Sequence, residues 1–211
     1  MKIISVNIAK KEPISWQGKT WKTGIFKKEQ SHFIAITKTG VYNDTVVDKK
    51  HHGGEHMAVY GFSKNHYAFF KNHYPNIAFY NGIFGENLTV ENLDETKIKI
   101  GDTFKIGSAI LQVSQPRLPC KTLNAVFKSD NIIKLFLNST FSGAYFRVLK
   151  EGKIYKNDKV FLLDRANNSA TLSEVFSLFT KNKKNTVLIE RVLKIDTLSP
   201  KIKMDIKRKL L

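Results

Sequence analysis

Three polar segments carry residue types that could do chemistry, and each is punctuated by glycine or proline instead of being patterned as a strand or helix. In Asp-Lys-Lys-His-His-Gly-Gly-Glu-His, residues 48–56, imidazoles and lysines flank Gly53-Gly54, a pair that lets backbone amides approach an anion such as a phosphate. His52 and His56 have the spacing of two metal ligands on one helical face. Gly53-Gly54 between them argues against a helix, and Glu55 is misplaced for His-Glu-x-x-His. A solvated turn accounts for this segment equally well. In residues 84–88, Glu86 and Asn87 follow Gly85, pairing a carboxylate with an amide that can read the donor and acceptor edges of a heterocycle; an ordinary turn is the plainer account. In residues 113–121, Pro116 and Pro119 stiffen a loop holding the chain's one thiol, Cys120, between Arg117 and Lys121. Two cations beside a sulfur favour its thiolate, the form that attacks electrophiles and binds soft metals, although a lone cysteine is more often a small core residue.

The elements that must position these loops are legible in part. β-branched stretches place strands at 2–8 and 20–27, with short strands at 88–90, 103–106 and 109–114, the last two joined by Gly107-Ser108 as in a hairpin. Strands return at 143–150 and 159–163. Tyr67, Phe70 and Tyr74 recur at helical spacing between Ser63, a candidate N-cap, and Pro75, a helix stop. The apolar pattern of 122–138 predicts one or two helices. After Asp164 the character changes: 171–180, 185–195 and 199–211 read as three amphipathic helices, with a capping box at Thr171-Leu-Ser-Glu174 and Ser199-Pro200 opening the last. A bundle this short is expected to dock on the β-rich unit.

The chain has 211 residues, 35 Lys+Arg against 18 Asp+Glu, and a formal net charge of +17. With 42% hydrophobic and 25% charged residues it sits near the globular average, which excludes disordered, collagen-like and coiled-coil classes. No apolar run approaches the roughly 18 to 20 residues of a membrane-spanning helix. The opening stretch meets Lys10-Lys11-Glu12 too soon for a signal peptide, so a cytoplasmic protein is expected. One cysteine excludes an internal disulfide. The basic residues are spread along the chain with Lys ahead of Arg, which reads as general surface able to steer an anionic ligand or an acidic partner. A nucleic-acid binder would concentrate them on one face among aromatics.

Together the segments resemble the MOSC (molybdenum cofactor sulfurase C-terminal) domain proteins of the YiiM type. The resemblance runs in order through His51-His-Gly-Gly54 with Ala58-Val-Tyr60, Gly85-Glu-Asn-Leu88, Ile100-Gly-Asp102, Val113-Ser-Gln-Pro-Arg117 with Pro119-Cys120, and Tyr145-Phe-Arg-Val-Leu149. It extends to the trailing helices. It implies a mainly β fold with α: an antiparallel β-barrel-like MOSC domain over 1–164 and a three-helix C-terminal appendage over 165–211. It further implies a molybdenum cofactor (molybdopterin), with Cys120 as the protein thiolate on the metal and His52 as proton donor. Lys50, His51, His52 and the Gly53 and Gly54 amides are then expected around the cofactor's phosphate or mouth, and Gly85, Glu86, Asn87, Gln115, Arg117 and Arg147 also at the cofactor. Proteins it resembles reduce N-hydroxylated compounds, including hydroxylaminopurine base analogues, with electrons from a separate flavin-containing reductase. Alternatives are a sulfur carrier using a Cys120 persulfide, and a basic nucleic-acid-binding protein without catalysis. The C-terminal helices could also pack against a second copy as a homodimer. Two departures from the pattern are Ala144, where relatives often have tryptophan, and Asn157, where they often have glycine.

Overall fold

A computed structural model describes residues 1–210, the side chain of Lys50 excepted. The strands and helices run β1 (Lys2–Ile8), β2 (Glu12–Trp16), β3 (Lys19–Thr23), β4 (Lys28–Glu29), β5 (Phe33–Thr37), β6 (Gly40–Val41), α1 (Lys49–His52), β7 (Val59–Ser63), α2 (Tyr67–His73) and β8 (Leu88–Glu91). They continue with β9 (Thr103–Ile106), β10 (Ala109–Pro116), α3 (Thr122–Phe127), α4 (Ile132–Ser139), β11 (Ala144–Lys150), β12 (Gly152–Tyr155) and β13 (Val160–Asp164). Three helices follow: α5 (Leu172–Ser177), α6 (Thr186–Leu193) and α7 (Pro200–Leu210).

Eight strands form the main sheet in the order β13-β9-β10-β11-β7-β8-β1-β4. All neighbours are antiparallel except β7 and β8, whose parallel pairing uses α2 and the loop after it as the crossover. Residues buried at alternate positions, such as Ala109, Leu111 and Val113 on β10, set the register by facing the core. The fold is thus mixed α/β around a large curled sheet. The eight-stranded sheet is not closed into the barrel-like form that the resemblance implies. At the ends of the sheet β1 comes alongside β13 through one isolated bridge, Lys2 to Lys159, with Ile3 N–H donating to Asp158 O at 2.9 Å. Extending that pairing would need the residues before Lys159 to stay extended, yet they turn, with Asn157 at φ +72°. Asparagine tolerates the left-handed conformation, so it serves there in place of glycine.

Two apolar cores flank the sheet. In the larger one, Ile100, Leu111 and Val113 pack with Leu172, Val175, Val192, Ile202 and Ile206, so α5, α6 and α7 share the core of the β-unit. Backbone bonds reinforce the docking: Leu172 N–H donates to Ile98 O at 2.9 Å and Ser199 N–H to Ser114 O at 3.1 Å. The second core is aromatic. Phe62, Phe70, Phe84, Phe127 and Phe136 are fully buried, with Phe62 and Phe84 centroids 4.5 Å apart, and α2, α3 and α4 close over them. Among the described residues no helix is long and apolar enough to cross a membrane.

Local signals explain most of these elements. The capping box forms: Thr171 Oγ1 accepts from Glu174 N–H at 3.1 Å and Glu174 Oε2 accepts from Thr171 N–H at 2.8 Å. Thr171→Ala is expected to lower stability by about 1 kcal/mol, read as a shift of the urea midpoint at unchanged slope. The 122–138 segment divides into two helices because Lys128 turns left-handed at φ +48°. Ser63 does not act as an N-cap; its side chain makes no capping bond and a 3₁₀ turn, Lys64–His66, precedes α2. The strands β5 and β12 were not among those expected from the sequence, and they pair with each other over Ile34 and Ile154.

Candidate active site

The last residues of β10 feed a loop that enters α3, and this loop places Arg117 and Cys120 at the wall of a cleft of about 190 Å³ that opens to solvent. Arg117 is 4% exposed; its Nη1 donates to Phe84 O at 2.6 Å, and its guanidinium lies 4.9 Å from the Tyr60 ring centroid. A buried cation held on the aromatic core is thereby fixed beside the thiol. Cys120 is partly buried and free. Burial alone would push its thiol up; the His52 imidazole hydrogen bond, the Arg117 guanidinium and the Thr122 N–H outweigh burial and bring it down to about 6. At neutral pH the sulfur is a thiolate.

His52 reaches Cys120 because α1 ends at it, immediately before Gly53. The one-turn helix is opened by Asp48, whose carboxylate accepts from His51 N–H at 3.2 Å. His51 itself is exposed and pairs with Asp48 at 2.8 Å without lining the cleft. His52→Asn is expected to move the midpoint of Cys120 alkylation upward from about 6. If the midpoint passes about 8, iodoacetamide reacts about tenfold more slowly at pH 7, because the thiolate fraction falls by that factor. A midpoint unmoved in this variant would place the thiolate's stabilisation on Arg117 and the Thr122 N–H.

Another part of the lining is built by Ile25, Lys27 and residues Asp44–Asp48. Lys27 and Asp44 form a buried ion pair, with side chains 7% and 5% exposed. Asp44 also accepts from Ala9 N–H at 2.7 Å and from Asn87 Nδ2 at 2.9 Å. Asn87 Oδ1 in turn accepts from Tyr60 N–H at 3.2 Å, so the amide links this wall to β7. Burial holds Lys27 below the usual lysine range, against the pull of Asp44. Lys22 and Lys121 line the cleft as well, so cations outnumber the acids Asp44 and Asp48 and the space favours an anion.

Of the residues singled out in the sequence, the structure brings Cys120, His52, Arg117, Gly85 and Asn87 together in the cleft. Gly85 adopts φ +80°, and a Cβ there would meet Ile25 Cγ1 at 3.2 Å. This turn sends Glu86 the other way. Glu86 is fully buried, bonded to Tyr67, to Gly82 N–H at 2.9 Å, to Phe84 N–H at 3.1 Å and to Thr89 at 2.9 Å, so it braces the loop behind the wall. Gly53 and Gly54 do not line the cleft; they turn the chain from α1 towards β7, Gly54 at φ +92°. Gln115 is buried on β10, paired in register with Tyr145, and lies outside the cleft lining. Arg147 points to the C-terminal unit, donating to Thr197 O and, at 3.1 Å, to Gln112 Oε1. The side chain of Lys50 lies outside the described residues. Lys27, Asp44 and Thr122 were missed, since a Lys among 35 basic residues and an Asp in a turn carry no distinguishing signal. Tyr60 and Tyr145, which stand in the sequence only as neighbours of the motifs, both line the cleft, and burial raises both phenols.

The MOSC domain family model matches residues 48–161, the span that contains α1, Gly85-Glu86-Asn87 and the Cys120 loop. A Bacillus subtilis protein named YflK is 32% identical over 93% of this chain and 89% of its own length. A Gibberella moniliformis protein named reductase is 34% identical over 68% of this chain, which corresponds to 26% of that longer protein. The crystal structure of YiiM from Geobacillus stearothermophilus superposes with a TM-score of 0.82 at 26% identity, covering 99% of this chain and 98% of that one. A family match centred on the cleft and a relative similar along nearly the whole chain lead to one assignment: the chain belongs to the MOSC domain family.

Proposed function

We propose that the cleft holds a molybdenum cofactor and that the protein is an oxidoreductase that reduces N-hydroxylated compounds. The observation that carries this reading is the Cys120 thiol brought down to about 6 in a cation-lined cleft. The residues fit the group. Among the described residues no three metal-ligating side chains cluster, so Cys120 would serve as a single soft ligand to a metal that arrives with its own sulfur ligands. Arg117, Lys22 and Lys121 line the cleft and supply charge for the cofactor's phosphate.

The overall conversion is R–NHOH + 2e⁻ + 2H⁺ → R–NH₂ + H₂O. When bound, the cofactor supplies the two-electron change for N–O cleavage. The chain's own groups bind, orient and move protons. His52, which lines the cleft with Cys120, is the proton donor in this reading. Tyr145, kept protonated by burial, is a fixed phenol in the lining. The electrons come from a separate flavin-containing reductase. The reductase-named relative supports reductive chemistry for that protein, and its extension to this chain belongs to the proposal.

The test is turnover of 6-N-hydroxylaminopurine by protein purified from a host that makes the cofactor, with reduced methyl viologen as donor. The expected product is adenine, in step with molybdenum content. No amine from several N-hydroxylated substrates at full metal loading would reject the substrate class.

A further inference from the structure

The outer surface of the C-terminal helices is unused by the chemistry of the cleft. Residues 181–209 hold ten basic and three acidic side chains, against twenty-five and fifteen in the 180 residues before them. Arg191 pairs with Glu174 and Arg208 with Asp205, while Lys201 Nζ donates to His51 O. Lys181, Lys183, Lys184, Lys194, Lys207 and Lys209 are exposed. Val187 on α6 and Met204 on α7, 77% and 67% exposed, are the two most exposed large hydrophobic side chains among the described residues. Exposed apolar side chains within a basic surround have the anatomy of a transient protein interface.

This surface is tied to the cleft at two points. Lys201 bonds α1 one residue before His52. Ser199, just before α7, bonds Ser114 on β10, the strand that leads to Arg117 and Cys120. We infer that the outer surface of α6 and α7 is the docking site for an acidic electron-donor protein that serves the cleft, an inference that rests on the reductive reading above.

Other anionic partners fit less well. Residues 181–210 contain no Phe, Tyr or Trp, and eight of the ten basic residues are Lys, so the segment lacks the stacking platforms and guanidinium forks of nucleic-acid readers. A membrane-surface helix inserts its apolar stripe, but Ile202 and Ile206 of α7 are already buried in the core. An acidic protein needs only the charge and the two exposed aliphatic side chains.

The experiment titrates the purified full chain with an oxidised flavodoxin of net negative charge, followed by its flavin fluorescence. Binding is expected to weaken about tenfold between 50 and 300 mM NaCl, as screening shortens the reach of the charges. The variant Lys194→Glu/Lys203→Glu/Lys207→Glu is expected to lose about tenfold or more in affinity at low salt. A control with the same charge change, Lys105→Glu/Lys150→Glu/Lys159→Glu on β9, β11 and the β13 edge, is expected to lose less than about threefold. Equal loss in both variants, no loss in the first, or tighter binding of wild type to duplex DNA than to flavodoxin would overturn the inference. Viologen-driven turnover separates it from the reading beneath it. That turnover is expected to be unchanged in the α6–α7 variant, and its loss there would count against docking. If wild type binds flavodoxin as described yet viologen drives no N–O reduction, the surface stands and the reductive reading fails.

Discussion

Cys120→Ser is expected to fold with wild-type stability, to lose its bound molybdenum, and to lose turnover by about a hundredfold or more. That factor is the upper range for removing an outer-shell partner of a metal ligand, and so a floor for removing the ligand itself. The reason lies in the pairing of Sγ with His52 and Arg117, which keeps the sulfur ionised at neutral pH. A serine hydroxyl keeps its proton there and offers a hard oxygen in place of a soft sulfur. Metal analysis and turnover should be read together on samples matched by circular dichroism and urea midpoint. Full molybdenum content in the variant would remove Cys120 from the metal. A wild-type protein carrying one additional sulfur by intact mass, without molybdenum, would favour the persulfide reading.

Asp44→Ala is expected to cost about 3–5 kcal/mol, because it strands the buried Lys27 ammonium and frees the Ala9 and Asn87 donors. Lys27→Met/Asp44→Leu is expected to recover most of that loss, since an apolar pair leaves no buried charge. The pH dependence has a definite sign. Burial depresses Lys27 in the folded state, so the unfolded chain binds more protons and stability rises with pH through the window between the folded and unfolded values. Removing Asp44 deepens the depression, and the variant's stability should climb more steeply with pH than the wild type's. Urea unfolding across that range measures it. A cost below about 1 kcal/mol at neutral pH would mean that Lys27 reaches solvent and that the wall does not depend on the pair.

The parts of this architecture that were legible in the sequence are those written in local pattern. The hairpin of β9 and β10 shows in its alternation around Gly107-Ser108, and α5 shows in the capping box at Thr171, because both depend on residues a few positions apart. The cleft was half legible. Cys120 between Arg117 and Lys121, with His52 beside Gly53-Gly54, already has the composition of an activated thiol. Which way each side chain points was not legible, since it depends on backbone torsion. Gly85 at φ +80° separates Glu86 from Asn87, sending one into the core and the other to the cleft wall. Arg147 is placed by the strand pairing of β11, which aims it at Thr197. The Lys27–Asp44 pair joins residues 17 apart across loops, and nothing local distinguishes either. The barrel-like closure that the resemblance implies was not legible locally either, since β1 and β13 meet through the one bridge Lys2–Lys159, just after the turn at Asn157.

X-ray absorption at the molybdenum edge tests the central claim most directly, that Cys120 is the one protein ligand to a metal in this cleft. The account predicts one more sulfur neighbour to the metal in wild type than in any metal retained by Cys120→Ser, the difference being Cys120 Sγ. The same sulfur count in both proteins would contradict it.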